Sequence, residues 1–536
     1  MSRYEEETVS GDLSAELIHP AKNCYRRSIP LDLPPGSTFM YREENNMGNR
    51  SDLLPVFDPC GADVQFNSAD VIVAGHPEQK KYILAGAVTA RRSFTYFRLI
   101  RRATNMSEIE ITQPDIAEGE TPEEVIVLKG SDWRKMLQIY AETCVERMHV
   151  KKFDTEKNLT GYCTWYYYYA DVTEHDFLEN LEALKAHRDS CYCADVVQID
   201  DGYQTFQGDW NDQDASWPTP LSEIAHRITS SGMTAGIWLM PFVASTASRV
   251  FREHPDWFIK DETGAPKTAK GWSPPPDDMW VCLDMTVPAA REHIADVFRT
   301  FHSWGFNYFK MDGLSFGLME GRRADPAETV ISSFRLGLKA IREAVPDATL
   351  LGCCPPFMAC LGYIDSARVS GDTHASWDAI RGAFLSSLSR FWMIDKFFRC
   401  DPDVLIARQD RAKHTIGEAR VSVLSGILTG VSLTSDNLGT IGPDRLELLG
   451  RAAKIRMRDI MPLDWTPHHV VSAFSGTVNG KKAAAIANLT DEWHEYTFAD
   501  LELDPEKEAD EILQAIGKRK FVITVAPHDA ALLVQN

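Results

Sequence analysis

The chain has 536 residues, 44% hydrophobic and 25% charged, with a formal net charge of −21. That length exceeds what one core holds and predicts two or three domains of an ordinary globular protein. The acidic balance argues against nucleic acid or an anionic membrane as partner and favours a neutral or cationic small molecule. No apolar run reaches the roughly 18 residues of a membrane span. The opening MSRYEEETVS has neither the basic nor the apolar region of a secretion signal. Eleven cysteines follow no regular spacing. Cys191-x-Cys193 and the adjacent Cys353–Cys354 match no zinc pattern, so reduced thiols in a cytoplasm are the simplest expectation.

Residues 1–155 read as an antiparallel, sandwich-like β domain. VIVAGHPEQKKYILAGAVTA (71–90) has two apolar runs around a polar turn, the pattern of a hairpin. Short strand-like pieces follow at 94–97, 109–111 and 125–128, then a helical stretch over 133–148. From Gly161 the pattern changes to strand and helix in alternation. Strands are expected at 161, 194, 234, 306, 349, 367, 399 and 431, with GYCTWYYYY (161–169) a single aromatic strand and 264–278 a polar, Pro-rich loop. Helices are marked by Phe177, Leu181 and Leu184, by Ile224–Ile228 closed at Gly232, by Pro288 at a first turn, and by Phe334, Leu338 and Ile341. Eight such units over 156–462 predict a (β/α)8 barrel. Beyond 463 short strands predict a small antiparallel β domain over 463–536.

Polar residues gather at the C-terminal ends of these strands, where barrel active sites lie: Asp200, Asp201, Lys310, Asp312, Cys353, Asp372 and Asp401. In SWGFNYFKMDGLSFG (303–317), Lys310 and Asp312 stand two apart on a strand and share one face. Burying such a pair is unfavourable unless it is used. From the residues alone, a catalytic carboxylate with a hydroxyl-binding lysine and a strand-end salt bridge account for it equally well.

Taken together, FKMDG, QIDDGYQTFQGDW (198–210), GIWLMPF (236–242), HPDW (254–257) and CDPDVLIAR (400–408) resemble bacterial α-galactosidases of glycoside hydrolase family 36, closest to short thermophile forms. The resemblance covers roughly 161–436. It implies retaining hydrolysis of terminal α-galactose by two carboxylates, without metal or cofactor; the cytoplasmic site expected from the missing secretion signal points to small imported galactosides of the melibiose or raffinose type. Asp312 matches the nucleophile and Asp372 the general acid/base. Asp200 and Asp201 match the pair receiving the C4 and C6 hydroxyls, and Lys310 the lysine holding ring hydroxyls. Cys353 and Arg368 match pocket positions near C2 and the acid/base, and Trp165 and Trp238 the aromatics around the sugar. Chemistry then predicts an Asp372 raised in pKa and an Asp312 kept ionised by Lys310.

Two departures stand out. Cys353-Cys354-Pro355-Pro356 replaces a Cys-x-x-Gly-Gly type segment, which leaves galactose against N-acetylgalactosamine open. No Trp precedes Trp133, although related enzymes send an aromatic into the site from the N-terminal domain. The rivals are an α-N-acetylgalactosaminidase, a galactosyl transferase on the same carboxylates, a metal-dependent barrel hydrolase using Asp200, Asp201, Asp284 and His254, and a sugar-binding protein without turnover. A homo-oligomer is compatible with the sequence and not specified by it.

Overall fold

The computed structural model describes residues 25–535, apart from 35–36, 38, 44–63, 103–104, 118, 152–156, 189–190, 413 and 464–471. The N-terminal decapeptide read for a signal lies outside them. At the centre stands an eight-stranded parallel sheet. Its strands are β1 (Leu159–Cys163), β2 (Val196–Ile199), β3 (Thr234–Leu239), β4 (Phe306–Met311), β5 (Thr349–Gly352), β6 (Ser366–Arg368), β7 (Arg399–Asp401) and β8 (Val431–Thr434). Each strand expected from the sequence is present. They run in the order β7-β6-β5-β4-β3-β2-β1-β8. A parallel bridge from Leu405 to Thr434 links the chain just past β7 to β8, with the Leu405 amide 2.7 Å from the Leu433 carbonyl. The result is a (β/α)8 barrel flanked by antiparallel β domains.

Helices cover the barrel because their apolar residues fall on one stripe. In α1 (Leu221–Thr229) the buried positions are Leu221, Ile224, Ala225 and Ile228. In α2 (Pro288–Ser303) Pro288 occupies the first turn and Ile294, Val297, Phe298 and Phe301 face inward. In α3 (Val330–Ala344) Thr329 and Ser332 form a capping box, which satisfies amides the helix itself leaves unpaired.

Two expectations are corrected. The aromatic stretch is not one strand: β1 stops at Cys163, and Trp165–Tyr168 form a helical turn. Both neighbouring ladders run out there, since Cys163 is the last partner of β2 and Tyr162 the last of β8. A backbone without a ladder bonds to itself. The Pro-rich stretch is not simply a loop either. Thr268–Lys270 pairs with Met279–Cys282, which pairs with Val243–Ser245, so 271–278 is the tip of a hairpin.

Two four-stranded antiparallel sheets precede the barrel. In the sheet holding Phe39–Arg42, Val71–His76, Lys81–Ala87 and Val125–Gly130, the first three strands are buried on both faces, which is why they read as apolar runs, while Val125–Gly130 is partly exposed. Met40, Ile72, Ala74 and Ala85 meet the other sheet. Tyr41, Val73 and Leu84 face the barrel side. There Glu43 pairs with Arg390 at 2.5 Å, both fully buried, and Trp392 donates to the Tyr41 hydroxyl at 2.7 Å. After the barrel, a six-stranded antiparallel sheet begins at Met457–Pro462 and ends at Asp529–Gln535. It is held to the helix Ile416–Thr429 by the Arg420–Asp529 ion pair at 2.9 Å.

Candidate active site

At the C-terminal ends of the barrel strands the structure opens a cleft of about 920 Å³. Asp200, Asp201, Trp238, Lys310, Asp312, Arg368, Asp372 and Trp165 all line it, brought together from five strands. Cys353 does not. It packs below with Val196, Tyr308 and Leu351, while its neighbour Cys354, at φ 49°, turns into the cleft. The left-handed residue reverses the strand's alternation at this point.

One wall is built on Asp200. Lys310 Nζ lies 2.7 Å from its Oδ2, Gln198 Nε2 2.5 Å and Cys163 Sγ 3.2 Å. Burial works against the lysine's charge, but Asp200, together with Cys163, Cys353 and Asp312, outweighs it and holds the lysine well above its ordinary pKa. Asp201 accepts from Gln204 Nε2 at 2.6 Å, and the Trp272 indole N–H lies 3.5 Å from its other oxygen. Burial, with Asp200 beside it, pushes Asp201 up to about 6.

Asp312 sits at the end of β4. Trp238 Nε1 donates to one of its oxygens at 3.1 Å and the Gly313 amide to the other at 2.7 Å. Trp238 is held edge-on by Trp210, 5.9 Å between ring centres. Burial raises Asp312, opposed by Lys310, Trp238 and Gly313. Across the cleft, Arg368 NH2 reaches Asp372 at 3.1 Å and the buried Asp403 at 2.9 Å. The Tyr166 hydroxyl bonds to both carboxylates. Burial works to raise Asp372, but Arg368 and Lys310, with the hydrogen bonds of Tyr166 and Arg368, hold it below its ordinary value. At Asp312 burial outweighs the opposing Lys310, and Asp372, expected to be raised, is instead lowered because Arg368, Lys310 and Tyr166 together outweigh burial.

Other residues separate cleanly. Asp209 accepts from the Arg249 and Val250 amides and caps the helix Arg249–Glu253. Asp401, pushed by burial to about 6, and Asp403 lie behind the cleft. Asp284 is taken up by Thr286 and Ala324, and His254 stacks on Trp257 at 3.7 Å. The four residues of the metal-hydrolase rival are therefore not brought together. Sequence reading missed Trp272, Gln204, Gln207 and the turn of Cys354 into the cleft. The available signals were a Trp in a Pro-rich stretch and glutamines at short spacing after Asp201.

No N-terminal residue lines the cleft among the described residues. Trp272, 51% exposed and packed edge-on to Trp280 at 4.5 Å, supplies an aromatic wall from the 271–278 hairpin tip instead.

Comparison with known proteins places this cleft in a family context. Residues 119–315 match the family model described as Melibiase. A protein named A type blood alpha-D-galactosamine galactosaminidase, from Flavonifractor plautii, is 33% identical over 132 residues, 23% of this chain and 12% of its own length. An Escherichia coli alpha-galactosidase is 26% identical over 170 residues, 29% of this chain and 22% of its own length. The matched stretch thus spans less than a quarter of either relative. Among solved structures, the alpha-galactosidase of Thermus thermophilus in complex with p-nitrophenyl α-D-galactopyranoside superposes with a TM-score of 0.66 at 21% identity, covering 87% of this chain and 94% of that one. That likeness is one of fold. The resemblance to family 36 α-galactosidases carried by the motifs holds across these comparisons.

Proposed function

We propose that this chain is a glycoside hydrolase, an exo-acting α-galactosidase that works with retention through two aspartates. One observation carries the reading. Asp312, gripped by Trp238 and Gly313, shares a single cleft with Asp372 on Arg368, and the wall beside them is Lys310–Asp200–Asp201.

In the first step Asp372 gives its proton to the glycosidic oxygen while an Asp312 oxygen attacks C1. The C1–O bond breaks, the aglycone leaves as an alcohol, and a galactosyl ester forms on Asp312. In the second step Asp372 takes a proton from water, the hydroxide oxygen bonds C1, and Asp312 is released. A glycosidic oxygen needs that proton because an alkoxide is a poor leaving group. Lys310 and Asp200 face the hydroxyls of the sugar as a ready donor and acceptor. Asp201 would accept the axial C4 hydroxyl. An equatorial hydroxyl at that carbon would leave a buried carboxylate unpaired, which disfavours glucose.

Small α-galactosides of the melibiose and raffinose type fit the cleft's volume. The nine described cysteines are free thiols, which supports a reducing compartment such as the cytoplasm. A galactosamine-bearing sugar is the second reading, favoured by the Flavonifractor plautii match.

The test is a panel of aryl α-glycosides of galactose, N-acetylgalactosamine, glucose and xylose, with and without EDTA, on the wild type and Asp312→Ala. Galactoside hydrolysis insensitive to EDTA, lost in the variant and restored by azide with inverted product, is the expected result. Preference for the N-acetylated sugar would move the specificity and keep the mechanism. Turnover of none would sink the reading.

A further inference from the structure

The aromatic run after β1 commits its rings unevenly. Tyr167 donates its hydroxyl to Asp410 at 2.5 Å, and its ring lies under Arg411, 4.4 Å away. The Tyr168 hydroxyl accepts from Asn180 at 2.8 Å and Asn437 at 3.1 Å. Tyr166 is buried and bonded to the acid-side carboxylates. Tyr169 is different. It lines the cleft, is 42% exposed, and has φ 55° and ψ −149°. That backbone lies at the edge of a region only glycine occupies freely. A large aromatic kept in strained backbone with its ring in solvent is a poor solution for stability alone.

Its place in the cleft indicates a use. The Tyr169 ring stands edge-on to Tyr166, centres 6.3 Å apart, and to Trp165 at 5.5 Å. Tyr166 packs edge-on to His374, two residues past Asp372, with ring centres 6.1 Å apart, so Tyr169 lies on that carboxyl's side of the cleft, and Trp272 lies by Asp201. A general acid must reach the glycosidic oxygen, so the leaving group departs on the acid's side. A pyranose presents C–H groups on its flat faces, and an exposed ring offers the matching apolar surface.

We infer that Tyr169 is the platform of an aglycone subsite that takes a second pyranose ring. This rests on Asp372 being the acid of a galactosidase. Trp272, by the same geometry, serves the galactosyl side.

The experiment compares kcat/KM for α-galactosyl fluoride, whose leaving group has no ring, with that for galactosyl-α-(1→6)-glucose. It uses the full chain and the variants Tyr169→Gly, Tyr169→Phe and Trp272→Ala, with Tm measured for each. Tyr169→Gly is expected to lower the disaccharide-to-fluoride ratio roughly 3- to 10-fold, the scale of one stacking contact, with Tm equal to or above wild type because the strain is removed. Tyr169→Phe keeps the ratio within about twofold, and Trp272→Ala lowers both rates together. An unchanged ratio in Tyr169→Gly, or a fall in Tm with both rates falling alike, overturns the inference and leaves the galactosidase reading standing. Turnover of neither substrate by the wild type overturns that reading and the inference with it.

Discussion

Lys310 Nζ lies 2.7 Å from Asp200 Oδ2, with the two side chains 7% and 2% exposed. Neither charge has water to fall back on. Removing one partner strands the other, which destabilises a protein by about 3–5 kcal/mol. Lys310→Met should lower Tm and abolish turnover. The double variant Lys310→Met/Asp200→Asn should recover much of the Tm and none of the activity. Thermal unfolding of the three proteins side by side checks this. A Lys310→Met protein as stable as wild type would contradict it.

Asp201 predicts a pH-dependent trade between stability and activity. Its folded-state pKa, about 6, lies above the ordinary 3.8. The fold therefore favours the protonated form. Its contribution is fully present below about pH 4 and is lost as pH rises through 6, worth roughly 3 kcal/mol in all. Asp201→Asn removes that titration. Its Tm advantage over wild type should be small at pH 4 and grow to a plateau by pH 7, while kcat/KM falls at least 10-fold. Tm against pH for both proteins is the measurement.

Trp238 contributes to the ionisation of Asp312 through the 3.1 Å hydrogen bond from Nε1. That bond favours the charged carboxylate. In Trp238→Phe the Asp312 pKa should rise, so the acid limb of kcat/KM moves to higher pH and the rate at low pH falls further than at neutral pH. A limb that stays in place would show that the indole N–H does not act on Asp312.

Asp372 is held low by Arg368, Lys310 and Tyr166 against burial, yet its proposed role needs a proton. Sugar entering the cleft excludes water beside a side chain that is 44% exposed when free, and desolvation favours the neutral acid. The basic limb of kcat, which reports the complex, should therefore lie at higher pH than that of kcat/KM, which reports the free enzyme. Arg368→Lys, a poorer bidentate partner, should move both limbs upward. Full pH profiles on a galactoside with a poor leaving group test both statements.

The strands were legible because each is a short apolar run ending in a polar residue, and that pattern is local. What the local pattern could not carry is where a ladder ends. Trp165–Tyr168 have strand-forming side chains, but the neighbours at Thr434 and Gln198 give them nothing to pair with. The acidic residues and Lys310 were legible from strand-end position and motif. The lowering of Asp372 was not, because Lys310 and Tyr166 arrive from other strands and add to Arg368 four residues before it. Trp272 escaped for a similar reason: in sequence it belongs to a Pro-rich stretch, and only the hairpin from 268 to 282 brings it over Asp201. Cys354 took the place expected of Cys353 through one left-handed residue.

The ion pair between Glu43 and Arg390 has a consequence for how this molecule comes apart. Both charges are sealed, one in the first sheet's neighbourhood and one after a barrel helix, with Trp392 and Tyr41 joined beside them. Prising the sheet from the barrel would expose a bare guanidinium site in the barrel wall and a bare carboxylate on the sheet. Neither half would then be a finished protein. The N-terminal sheet, which carries no catalytic group, is thus bound to the fate of the barrel that does, and heating should take the two down in one event.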